Sequence, residues 1–260
     1  MARAVIIVSY ILIVILGAAL GSFFNVVISR LPQGQSIVHP PSRCPGCHKR
    51  IKPWRNIPVV SWLALRGRCP DCGCRIHWHY PLVEALTPLI FLSLFLASGS
   101  TFDPTFGKWA IFFGVSLIIF FIDSFHMLIP DVLSIPLIIV GLLISLLPDM
   151  DIGFYSAFSG AAFAFLFFWG LGVLYQKVRK IDGLGGGDVK YIAAVGAFVG
   201  FPWVLFVMVA AAIVAVVFFL AMRLRRDQAF AFGPFLVVGT YIFVLAGESV
   251  MNWYVGLLSL

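Results

Sequence analysis

Eight apolar runs dominate the chain, near residues 5–29, 82–98, 107–123, 132–148, 154–176, 189–201, 203–222 and 234–257. A helix that crosses the hydrocarbon core needs roughly 20 apolar residues, with about 17 to 25 as the working range. The runs therefore predict an all-α polytopic membrane protein with about eight transmembrane helices in the lipid bilayer. Composition agrees, since 61% of the 260 residues are hydrophobic and 11% charged, against about 25% charged in soluble domains. The stretch from Val189 to Met222 contains Pro202, and its first part is short for a span. One kinked helix there would carry Arg223, Arg225 and Arg226 to the outer face, against the bias of basic loops to the inside, so it is read as two spans. The first run is longer than the about 7–15 residues of a signal-peptide core and a basic block follows it, which favours an uncleaved span.

A net charge of +7 suggests nucleic acid or anionic lipid as a partner, but the placement of the cations explains it more simply. Nine lie between Arg30 and Arg75, four between Lys177 and Lys190, and three at Arg223, Arg225 and Arg226; only Arg3 and Lys108 stand elsewhere. Putting the first block in the cytoplasm makes the other two cytoplasmic by parity of crossings and leaves Arg3 and Lys108 outside. No nucleic-acid partner is expected, and the oligomeric state stays open.

The one sizeable polar segment, Leu31 to Tyr80, contains "CPGC" (Cys44, Cys47) and "CPDC" (Cys69, Cys72), with 21 residues between the pairs. Two such knuckles can converge as four thiolates on one tetrahedral zinc. Disulfides are the alternative, but they rarely persist in a reducing cytoplasm. Four thiolates close the shell, so the zinc is expected to be structural. Cys74 is a fifth thiol whose role stays open, and His39, His48, His77 and His79 flank the knuckles as surface or alternative-ligand residues. The expected divisions are 1–30 as first span, 31–80 as zinc domain and 81–260 as membrane core.

Most acids have ordinary explanations. Asp103, Asp149 and Asp151 fall in outer loops, Asp71 in the cysteine loop and Asp227 among arginines, all read as solvated; Glu84 and Glu248 are left unassigned near span ends. Asp123 closes an apolar run, where the helix dipole disfavours an anion, and acids at membrane depth default to function. Asp131 follows Pro130 and is expected to cap the next helix. Asp188 follows Gly185, Gly186 and Gly187 and could also cap. Two spans separate Asp123 from Asp188, however, so both reach the same membrane face. Two carboxylates brought close share a proton and titrate together, and one can activate water while the other protonates a carbonyl. The three glycines would let backbone and substrate come close to the acid. The stretch lacks the Gly-Lys-Ser/Thr end of a P-loop and follows no strand, which argues against a phosphate cradle. Proton relays also use such aspartates, but the paired broken helices of transporters have no counterpart here.

Five ordered motifs resemble the bacterial type IV prepilin peptidases, which process type IV pilins and type II secretion pseudopilins. They are "GSFFNVVISRLP" (Gly21 to Pro32), "SRCPGCHKRIKPWRNIPVVSWLALRGRCPDC" (Ser42 to Cys72), "IDSFHMLIPD" (Ile122 to Asp131), "GLGGGDVKYIAAVGA" (Gly183 to Ala197) and "AFGPFL" (Ala231 to Leu236). The resemblance implies that Asp123 and Asp188 are the catalytic pair and Asp131 is not. It implies cleavage of a short basic leader from a prepilin or pseudopilin at the cytoplasmic face of the bacterial inner membrane, between a glycine and a phenylalanine. Members with the cysteine loop also methylate the new amino terminus with S-adenosylmethionine. His79, where the family pattern expects arginine, and the extra Cys74 both depart from that pattern in the region tied to methylation.

Overall fold

The computed structural model describes residues 2–148, 150–180, 185–223 and 230–258; Asp149, Gly183, Arg225, Arg226 and Asp227 lie outside the described residues. Among the described residues nine α-helices follow one another: α1 (Ala2–Arg30), α2 (Val60–Ala64), α3 (His79–Ala97), α4 (Pro104–His126), α5 (Asp131–Ile144), α6 (Phe154–Arg179), α7 (Gly186–Val199), α8 (Trp203–Met222) and α9 (Gly233–Leu258). All but the short α2 fall on the eight apolar runs. Among the described residues there is no strand, only two single antiparallel bridges in the cysteine loop.

Among the described residues, five of the helices are long and apolar enough to cross a membrane, by length and composition. The chain is a multi-pass membrane protein. Helices α5 and α7 have 14 residues each, about 21 Å at a rise of about 1.5 Å, which is shorter than the roughly 30 Å core. For α7 the shortness has a reason in packing. From Val189 to Val199 every residue except Lys190 is buried, so α7 is wrapped by protein on all sides, as helices apolar all round are. It packs on α5 and α6. A Cβ added at Gly196 would collide with the Gly160 oxygen, so these two glycines let the backbones of α6 and α7 touch, the small-residue packing that membrane helices favour.

The chain forms two compact units, Met1–Phe106 and Gly107–Leu260. Helix α3 belongs with α1 and the cysteine loop in the first unit. In that unit α1 lies close on α3: a Cβ at Gly17 would come 2.7 Å from Pro88 and one at Gly21 would come 2.9 Å from the backbone of Glu84. In the second unit Lys108 is not a free outer charge. It is 3% exposed, and its Nζ donates to both oxygens of Asp151 at 2.7 and 2.8 Å, so Asp151 is a salt-bridge partner and not merely a solvated loop acid. Asp103 accepts from the Phe106 N–H at 2.7 Å and starts α4.

Candidate active site and metal centre

The cysteine loop is one hairpin used twice. "SRCPGCHKRI" and "GRCPDCGCRI" align position by position, and their backbones follow suit. Cys44 N–H donates to the Lys49 carbonyl and His48 N–H to that of Cys44; Cys69 N–H donates to the Cys74 carbonyl and Gly73 N–H to that of Cys69. His48 and Gly73 occupy equivalent places, and both have positive φ, at 56° and 73°. Arg43 pairs with Arg50, and Arg68 with Arg75, across the bridges.

These turns bring the sulfurs of Cys44, Cys47, Cys69 and Cys72 within 4.8 Å of one another. Thiolates at about 2.3 Å from a tetrahedral zinc stand about 3.8 Å apart, and Cys44 Sγ lies 3.7 Å from Cys72 Sγ. The donor set thus fits a zinc-binding domain. Cys74 stays outside the four, in the position that Lys49 holds in the first hairpin, with its Sγ 3.3 Å from Cys44 Sγ. Burial pushes the Cys44 thiol up, but hydrogen bonds from the Cys47 and Gly46 backbone and from neighbouring thiols prevail and bring it down to about 6. Cys47 is pushed up to about 11: the Lys49 backbone favours its thiolate, but burial and the adjoining thiols outweigh that. A metal entering this cluster must displace protons, because it binds thiolates. Asp71 is exposed, in keeping with a solvated loop acid, and there it bridges Lys49 at 3.5 Å and Arg55 at 3.0 Å.

The aspartates converge through helix ends. Asp123, 4% exposed, lies in the last turn of α4, and its Oδ2 accepts the Gly233 N–H at 3.0 Å. Gly233 opens α9, so a helix N-terminus, with its partial positive charge, faces this carboxylate. A Cβ at Gly233 would sit 2.7 Å from Asp123 Oδ2 and 3.1 Å from Ile129 Cδ1. Ile129 in turn touches the start of α7, since a Cβ at Gly187 would stand 2.9 Å from Ile129 Cβ. Asp188 follows Gly187 directly in the chain. Its Oδ1 is buried with no hydrogen-bond partner among the described residues.

The three glycines before Asp188 differ from one another. Gly185 is the N-cap, with φ of −67°; Gly187 is pressed on Ile129; Gly186 faces open space. Asp188 is the third residue of α7 and not its N-cap; its carboxylate instead accepts the backbone N–H of the N-cap, Gly185. Asp131 does not cap α5 either: Pro130 holds that place, and the Asp131 carboxylate accepts two hydrogen bonds of 2.7 Å from Lys190 Nζ. Sequence reasoning gave no role to Gly233 or Ile129. The "AFGPFL" motif was the available signal, but a Gly-Pro pair before a helix says nothing about which distant side chain its N–H meets.

Residues 110–220 match the type IV leader peptidase family model, and residues 15–98 match the bacterial peptidase A24 N-terminal domain. The chain belongs to the type IV leader peptidase family. A prepilin leader peptidase/N-methyltransferase of Neisseria gonorrhoeae is 33% identical over 92% of this chain and 92% of its own length. That of Pseudomonas aeruginosa is 33% identical over 93% and 91%, and that of Myxococcus xanthus 38% identical over 83% and 63%. No solved structure matches this family member.

Proposed function

We propose that this protein is a membrane aspartic endopeptidase that removes the short basic leader from type IV prepilins and pseudopilins and then methylates the new amino terminus. The reading has the active site and the cysteine loop facing the cytoplasm from the bacterial inner membrane, the side the basic residues choose. The contact series from Asp123 through Gly233, Ile129 and Gly187 to Asp188 carries it, because it joins two acids from distant helices at one point.

Two neighbouring carboxylates hold one proton between them. The ionised member takes a proton from water, and the resulting hydroxide attacks the scissile carbonyl. The protonated member gives its proton to the carbonyl oxygen, and collapse of the tetrahedral adduct returns a proton to the departing nitrogen. The unpartnered Asp188 Oδ1 suits the acid that meets substrate, while the Gly233 N–H holds Asp123 in place. In the first unit a structural zinc on Cys44, Cys47, Cys69 and Cys72 would fix the paired hairpins. S-adenosylmethionine would supply the methyl group.

The test mixes purified protein with a prepilin and reads products by mass spectrometry. Wild type cleaves one bond, and with S-adenosylmethionine present the product gains about 14 Da per methyl group, the mass of the CH₂ unit. Asp188→Ala gives neither product. Cleavage by Asp188→Ala at the wild-type rate would end the aspartic mechanism.

A further inference from the structure

Both aspartates and their supports belong to the second unit, so a second chemistry needs a site of its own. The first unit holds a cavity of about 420 Å³ between the cysteine loop and the facing ends of α1 and α3, within the about 300–1,000 Å³ of small-molecule sites. Its lining is polarised. Asn25 and Glu84 lie at the helix ends, Trp62 and Tyr80 add aromatic surface, and exposed guanidiniums such as Arg43 and Arg75 stand at the rim.

Asn25 is 2% exposed. Its Nδ2 donates to the Tyr80 carbonyl at 2.9 Å, and a carbonyl can only accept, which fixes the orientation of the amide. Asn25 Oδ1 is then the one buried side-chain acceptor of this unit with no partner among the described residues, a state that native folds rarely leave unexplained. Beside it the half-buried Glu84 carboxylate accepts the Val59 N–H at 2.7 Å and a hydrogen bond from Ser22, with lone pairs to spare. A wholly anionic ligand would meet this floor unfavourably, and a wholly cationic one would meet the arginine rim unfavourably. A molecule with a cationic end, an aromatic base and a carboxylate matches all three parts.

We propose that this cavity binds S-adenosylmethionine, with Asn25 and Glu84 as acceptors for its cationic end and the rim arginines for its carboxylate. The proposal rests on the methyl-transfer reading above and gives it a place. When bound, the donor supplies a methyl on a sulfonium: the terminal amine's lone pair forms the new N–C bond, the S–C pair returns to sulfur, and a proton of the amine leaves to water. Glu84 and Asn25 favour the charged donor over the uncharged thioether, so transfer itself loosens the product. Aromatic surface from Trp62 and Tyr80 gives the base a face to stack on and keeps water from it. Cys44 and Cys69 border the cavity and belong to the four-cysteine cluster, so a metal bound there would hold one wall.

Equilibrium dialysis of the full-length protein with labelled S-adenosylmethionine, without prepilin, reads binding apart from turnover. Wild type should bind one molecule per chain. Asn25→Leu and Glu84→Gln should each weaken binding about tenfold or more, as losing a charge-assisted contact does. Lys52→Ala, which removes a cation over Trp54 away from the lining, should bind as wild type. Retained metal and an unchanged unfolding temperature certify that a variant is folded. Folded Asn25 and Glu84 variants that bind like wild type overturn the proposal, and if wild type still methylates cleaved pilin, the methyl-transfer reading survives without it. A wild type that cleaves prepilin but neither binds the donor nor methylates overturns both.

Discussion

The four-cysteine cluster is built from one hairpin used twice within a single loop, whereas the candidate aspartate site is built from helix ends that lie far apart in the chain. In the hairpins the backbone sets each ligand: Cys44 and Cys69 make the same pair of main-chain bonds five and four residues on, so the spacing alone positions four sulfurs. At the aspartates no local rule operates. Asp123 lies in the last turn of α4 and Asp188 in the first turn of α7, and Gly233 and Gly187 both abut Ile129 where a side chain on either would collide. A site of local turns depends on its ligands and little else, while a site of helix ends depends on the residues that let those ends approach.

The largest effect should come from the local site. Cys44→Ser should remove the metal, as the apparent binding energy of structural zinc, about 10–16 kcal/mol, is folding energy for the segment it closes. Metal analysis and limited proteolysis of the first unit measure this. Cys74→Ser is the counterpart: its position matches Lys49, so the protein should keep its metal. Loss of metal in Cys74→Ser and retention in Cys44→Ser would mean that the second hairpin supplies ligands unlike the first.

Next comes the chemistry. Asp123→Ala and Asp188→Ala should each lower cleavage about 10³-fold or more, the scale of acid–base catalysis, while metal content stays at the wild-type level. Gly233→Ala follows, since its Cβ would press on Asp123 Oδ2, and a misplacement of about 1 Å costs on the order of 10²-fold. Gly187→Ala should behave alike through Ile129. Gly186→Ala, with nothing near it, should cost far less. A loss at Gly186 as large as at Gly187 would show that substrate, and not packing, sets the need for glycine there.

The same contrast decides what could be read in the sequence. The eight apolar runs became eight helices because hydropathy and lipid impose the same constraint, and the four cysteines declared themselves by spacing. The hairpin repeat was equally legible in "SRCPGCHKRI" and "GRCPDCGCRI", yet the Cys-x-x-Cys pattern drew attention from the residues around it. Helix α7 starts at Gly186, three residues before the apolar run, because its first turn is glycine and aspartate that hydropathy cannot register. The pairs Lys108–Asp151 and Lys190–Asp131 were illegible, as charges at chain separations of 43 and 59 residues carry no mark of their partner.

The smallest effect belongs to the last of those pairs. Lys190 and Asp131 link the second turn of α7 to the first residue of α5, but their side chains are 35% and 57% exposed. Exposed ion pairs contribute about 0–1 kcal/mol, so Asp131→Asn should lower cleavage by about fivefold at most, with kcat and not KM carrying the change if the pair only steadies α7. The swap Asp131→Lys with Lys190→Asp should recover most of what either single change loses, and the loss should shrink as salt is raised. A fall near that of Asp188→Ala, unrelieved by the swap, would make Asp131 a third acid of the reaction and break the division between packing and chemistry at this site.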